Sequence, residues 1–132
     1  MALSSKINQK ESLGRFLTQS GHFRSLSKRV WFTAFMPPSN LRLSVCRLDE
    51  LRIDEIWNLG NSVILAMKQP KKLYGVADIK TGAVESKRAL SIIPDTLPSR
   101  HAEIVGWPGE EAKRLSLAQE LAAEAQLRLI DG

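Results

Sequence analysis

The sequence is poorest in the residues that disulfides, metal centres and nucleophilic sites draw on. Its 132 residues contain one cysteine, Cys46, and two histidines, His22 and His101. A single thiol cannot close an internal disulfide, so the fold does not depend on an oxidising compartment. Cysteine and histidine at positions 22, 46 and 101 match no zinc spacing, and no Asp/Glu cluster calls for a magnesium ion. Neither Gly-x-x-x-x-Gly-Lys-Ser/Thr nor Gly-x-Gly-x-x-Gly occurs. No metal and no cofactor is therefore expected. The longest notable apolar run, Val63 to Met67, falls far short of the roughly 20 residues a membrane helix needs, and no membrane contact is expected. No charged stretch followed by an apolar one opens the chain, and no Asn-x-Ser/Thr sequon argues for secretion. The expected compartment is the cytoplasm.

Acidic residues are scarce in one place. Residues 1–30 hold Lys6, Lys10, Arg15, Arg24, Lys28 and Arg29 against Glu11 alone, which accounts for the whole net charge of +5. The remainder is neutral. A basic N-terminal arm over residues 1–28 is expected, flexible and followed by one α+β domain over 29–132. A helix around residues 8–18, carrying Ile7, Leu13, Phe16 and Leu17, is weakened by Gly14.

The body reads as alternating and periodic segments. Arg29 to Met36 is dense in β-formers and apolar on both faces, with Val30, Phe32, Ala34 and Met36 on one and Trp31 and Phe35 on the other. Pro37-Pro38-Ser39-Asn40 turns the chain, and Leu41 to Arg47 alternates cleanly, which suggests a hairpin. Ile53, Ile56, Trp57, Val63, Ile64 and Met67 share one helical face and predict a helix over 53–68. Asp54 and Glu55 open it, Lys68 lies in its last turn, and Gln69-Pro70 stops it. Gly60 stands on the apolar stripe at a cost of about 1 kcal/mol, which a close crossing with another element would justify. Further strands are predicted at 73–79, 90–93 and 101–107, with a turn at Lys80-Thr81-Gly82 and a proline-bracketed loop at 94–99. A second helix over 110–126 buries Leu115, Ala118, Leu121, Ala122 and Ala125. The fold class is α+β: a mixed or antiparallel sheet of about five strands packed against two main helices.

Three surfaces could carry function. Arg100, His101 and Glu103 form the most chemically crowded segment. On a strand His101 and Glu103 share a face, and a carboxylate beside an imidazole is what a general base needs. A solvated edge pair is the bland alternative. Cys46, with His101 or His22 as its base and Arg42 and Arg47 nearby, is a weaker nucleophile candidate, since a lone cysteine is usually an apolar filler. Arg15, Arg24, Lys28 and Arg29, interleaved with Phe16, His22, Phe23 and Trp31, could track a phosphate backbone or an acidic partner. The Trp31/Phe35 face, left uncovered, would seek a protein partner or a second copy of the chain.

The strings Phe35-Met36-Pro37-Pro38, Glu55-Ile56-Trp57 and Arg100 to Pro108 resemble a small bacterial protein family, and the resemblance implies no activity. The leading expectation is a non-catalytic binding or accessory protein, a subunit of a bacterial multi-protein assembly. The alternatives are a nucleic-acid-binding module and a small enzyme built on Arg100, His101 and Glu103.

Overall fold

Strands whose side chains alternate between two apolar environments need cover on both sides, and this chain supplies it with short helices inserted between the strands. The computed structural model describes residues 4–67, 71–97 and 99–130. Along the chain it has strands β1 (Ser12–Leu17), β2 (Phe23–Arg24), β3 (Arg29–Val30), β4 (Leu43–Arg47), β5 (Gly75–Lys80), β6 (Ser91–Pro94), β7 (His101–Val105) and β8 (Gln126–Leu129). The helices are α1 (Ile53–Leu65), α2 (Thr81–Glu85) and α3 (Glu111–Glu124), with 3-10 turns at Ser20–His22 and Phe32–Phe35. Six strands form one sheet in the order β6-β7-β4-β1-β5-β8, antiparallel throughout, and β2 and β3 form a separate two-stranded ribbon. The expected α+β class holds.

The sheet separates two cores. On one face Leu13 and Leu17 of β1, Leu43 and Val45 of β4, Ala77 and Ile79 of β5, and Ala102 and Ile104 of β7 are buried. They pack beneath Ala118, Leu121 and Ala122 of α3, Val84 of α2, and Ala34 and Phe35 of the 3-10 turn. On the opposite face Phe16, Cys46 and Val76 meet Ile56 of α1 with Leu48 and Leu73. Period-2 alternation produces this division strand by strand.

Helix α1 starts where expected. Glu55 accepts a hydrogen bond from the Arg52 backbone N–H (2.9 Å), satisfying a donor at the helix N-terminus. Gly60 is explained by the crossing: a Cβ there would lie 2.8 Å from both the Phe16 ring and Leu73. Lys68, Gln69 and Pro70, read as the end of this helix, and Pro98 of the proline-bracketed loop lie outside the described residues.

Five expectations are corrected. Residues 12–17, assigned to a flexible arm and to a weak helix, are a central strand, paired with β5 over its whole length and with β4 at Leu13 and Gly14. The boundary at residue 28 is therefore not an architectural one. The strand over 29–36 is only Arg29–Val30 followed by a 3-10 turn. Ala34 and Phe35 are both fully buried, and successive strand residues cannot enter one core together. Consequently there is no hairpin between 29–36 and 41–47; β4 pairs with β1 and β7. The turn at Lys80-Thr81-Gly82 opens α2, and residues 126–129 leave α3 to add β8 at the sheet edge.

One buried ion pair ties the N-terminal segment to the sheet. The Arg47 side chain is 0% and the Glu11 side chain 5% exposed, and their contact is 2.6 Å. Arg47 Nη2 also donates to the Ser4 carbonyl (2.7 Å). The hydrogen bond that Arg47 donates to Glu11 raises the Arg47 pKa, and the Glu11 and Asp49 charges add to it. Arg47 Nη1 is buried without a hydrogen-bond partner among the described residues.

Candidate functional site

Helix α1 covers the β1–β5 side of its sheet face and leaves the β4–β7 side open. A cleft of about 550 Å³ results, within the size range of small-molecule sites. Its apolar wall is Phe16 with Leu59, Val63 and Met67; its polar wall includes Arg15, Arg42, Ser44, Arg100 and His101.

The cleft begins where the β1–β4 ladder ends. Only Leu13↔Arg47 and Gly14↔Cys46 are paired, and the strands then separate. Arg15 occupies the gap, donating from Nε to the Ala34 carbonyl (2.9 Å) and from Nη1 to the Ser44 carbonyl (3.1 Å). Burial lowers its pKa, opposed by Cys46, yet a guanidinium remains charged at neutral pH. Arg100 is held differently: its Nη1 donates to the carbonyls of Arg47 and Asp49, each at 2.9 Å. Both guanidiniums are committed to carbonyls, and neither has a carboxylate partner among the described residues. Their positive charge is left for whatever enters the cleft.

The expected His101–Glu103 pair does not form. Both side chains lie on the cleft side of β7, since Ala102 and Ile104 take the buried face. In the β4–β7 register Ser44 stands opposite Glu103 and Cys46 opposite His101. Long side chains reach diagonally across such a pair. Glu103 accordingly accepts from Arg42 Nε (2.7 Å). His101 Nε2 lies 3.1 Å from Ser44 Oγ. The acid beside His101 is Asp95, whose Oδ2 is 2.8 Å from Nδ1. Asp95 is locked there by its own backbone N–H, which donates to the His101 carbonyl (3.0 Å). The chain thus holds an Asp95–His101–Ser44 sequence of hydrogen bonds that opens into the cleft. The proline-bracketed loop was visible in the sequence as a rigid connection; nothing local marked Asp95 or Ser44 within their segments.

Cys46 is a poor nucleophile. Burial pushes its thiol up to about 11, against the opposing charges of Arg15 and Arg100, so it is protonated at neutral pH. His22 is no base for it: the ring is buried, and its Nδ1 accepts from the Thr18 backbone N–H (3.3 Å). Burial lowers its pKa, with Arg15 and Lys71 contributing.

The other expected residues separate. Arg15 belongs to the cleft, whereas Arg24, Lys28 and Arg29 are exposed on the β2–β3 ribbon. The Arg24 guanidinium stacks 4.1 Å over the Trp31 ring. Trp31 is 37% exposed, but Phe35 is 0% exposed and packs in the chain's own core, so the Trp31/Phe35 face does not exist as a surface. Among the described residues no His/Cys/Asp/Glu group could hold a metal, and no helix is long and apolar enough to cross a membrane.

Fold and cleft together define an α+β protein with a six-stranded antiparallel sheet and a cationic, half-apolar site on one face. No family model, curated protein or solved structure matches the chain.

Proposed function

We propose that this is a binding protein whose ligand is an apolar body bearing a carboxylate. The observation that carries the reading is the pair of guanidiniums without acidic partners, Arg15 and Arg100, lining the same cleft as Phe16, Leu59, Val63 and Met67. A carboxylate satisfies free guanidinium donors with charge-assisted hydrogen bonds. The apolar wall then contributes roughly 25 cal/mol for each Å² of hydrocarbon covered. The expected role of a binding or accessory protein is kept, and its working surface moves from Trp31 and Phe35 to the cleft.

Calorimetric titration with decanoate tests the reading. Binding is expected, with decanol at least about tenfold weaker because it lacks the charge. Val63→Asp, at a half-buried wall position, should abolish it while the thermal unfolding midpoint stays near that of the parent. Equal binding of decanoate and decanol, or no binding of either, overturns the proposal.

The β2–β3 ribbon supports a second reading, contact with nucleic acid. Arg24, Lys28 and Arg29 have no carboxylate partner among the described residues, and Arg24 stacks on the exposed Trp31. Such contact would weaken steeply with salt. Titration of single-stranded DNA and RNA at two salt concentrations decides it, with Arg24→Glu/Lys28→Glu/Arg29→Glu as control.

A further inference from the structure

The geometry points to Ser44 as a nucleophile, activated by His101 and oriented by Asp95, that cleaves carboxylic esters bound in the cleft. The inference rests on the proposed function for its substrate class, since the acid released is the apolar carboxylate that the cleft is read as binding. Its own support is the unbroken run of contacts: Asp95 Oδ2 to His101 Nδ1 at 2.8 Å, and His101 Nε2 to Ser44 Oγ at 3.1 Å. Both distances lie within reach for proton transfer. With Asp95 accepting from Nδ1–H, Nε2 carries the lone pair that faces the hydroxyl. Ser44 is exposed, and both it and His101 line the cleft. The other carboxylate on this face, Glu103, is engaged by Arg42, and no hydrogen bond joins it to His101 among the described residues.

In the reaction Ser44 Oγ attacks the ester carbonyl carbon while its proton passes to His101 Nε2. The carbonyl oxygen becomes an anion, for which the guanidiniums of Arg15 and Arg100 supply positive charge. The C–O bond to the alcohol breaks, and the alcohol leaves with the proton from His101. Water, deprotonated by the same nitrogen, then attacks the acyl-serine; the bond between the acyl carbon and Oγ breaks, Oγ takes the proton back from His101, and the acid leaves as its carboxylate. No oxidant, metal or further reactant is consumed. Asp95 touches His101 and not the ester, which makes it a positioning residue.

Labelling of the full chain with a fluorophosphonate probe tests the inference, because such probes phosphonylate activated serines. Trypsin releases residues 43–47, Leu-Ser-Val-Cys-Arg, in which Ser44 is the only hydroxyl. One phosphonate on that peptide is expected. Ser44→Ala should abolish it, and His101→Gln should slow it by about 10²-fold or more. Asp95→Asn should slow it, and Asp95→Glu should restore part of the rate, which loss of a merely structural contact would not do. Equal unfolding midpoints establish that each variant is folded. No adduct on residues 43–47, or labelling that His101→Gln leaves unchanged, overturns the inference. Decanoate binding without an adduct would remove the nucleophile and leave the binding reading standing. An adduct without decanoate binding would uphold the nucleophile and remove that reading.

Discussion

The two faces of the central sheet are built from the same strands and do different work. The face beneath α3, α2 and the Phe32–Phe35 turn is closed: Leu13, Leu17, Phe35, Leu43, Ile104 and Leu121 are all fully buried. The face beneath α1 has a smaller core, and Leu59 and Val63 of that helix remain half-exposed at the edge of the cleft. Alternation places mostly apolar residues inward on the first face, with Arg15 of β1 and Arg47 of β4 as its charged exceptions. On the second it places Ser44, Cys46, His101 and Glu103 at β4 and β7. A helix laid over those residues would have had to bury the Arg42–Glu103 ion pair and the Asp95 carboxylate held by His101. The strands therefore contribute stability through one face and chemistry through the other.

The largest test of this division concerns the ion pair below the closed face. Glu11→Ala leaves the Arg47 charge buried without compensation, and a loss of about 3–5 kcal/mol is expected in urea unfolding. A loss below about 1 kcal/mol would mean that the N-terminal segment opens to let water reach Arg47. Next comes a matched pair of truncations. Leu121→Ala on the closed face should cost about 2–5 kcal/mol. Val63→Ala on the cleft face should cost under about 1 kcal/mol, since its side chain already meets solvent. Equal costs would break the comparison.

Gly60→Ala probes the contact between α1 and the sheet directly. The added methyl would lie 2.8 Å from Phe16 and Leu73, and overpacking of that kind costs roughly 1–3 kcal/mol despite the better helix propensity of alanine. A gain in stability would show that α1 can lift away from β1 and widen the cleft.

The smallest effect is a pH dependence. Burial lowers the His22 pKa in the folded state, so the unfolded chain binds the proton more readily. Stability is then complete above the unfolded value of about 6.5 and declines as the pH falls from there toward the folded value. His22→Asn, which keeps an acceptor for the Thr18 N–H, should flatten this part of the unfolding-midpoint profile. An unchanged profile would assign the acid sensitivity to other groups.

What could be read in the sequence was what depends on neighbours. The stripe of Ile53, Ile56, Trp57, Val63 and Ile64 announced α1, and the alternation of Leu43 and Val45 announced β4 with its inward face. Even the purpose of Gly60 followed, because a costly glycine on an apolar stripe asks for a close crossing. β1 did not follow, since Gly14 and Arg15 interrupt its apolar pattern and its identity comes from six pairings with β5 more than 50 residues away. Phe32–Phe35 misled in the opposite sense: its residues favour strands, but α3 buries Ala34 and Phe35 together.

The candidate site shows the same boundary. Composition and local period alone placed His101 and Glu103 on one face of a strand, gave that strand a polar face and left Cys46 without disulfide partners. The tertiary structure decided which acid reaches the imidazole. Adjacent positions on a strand face pointed to Glu103, but diagonal contacts across β4 and β7 gave Glu103 to Arg42 and Ser44 to His101. The reversal from β6 into β7 then delivered Asp95. Such contacts depend on register, and register is set by the burial of whole strands against distant helices.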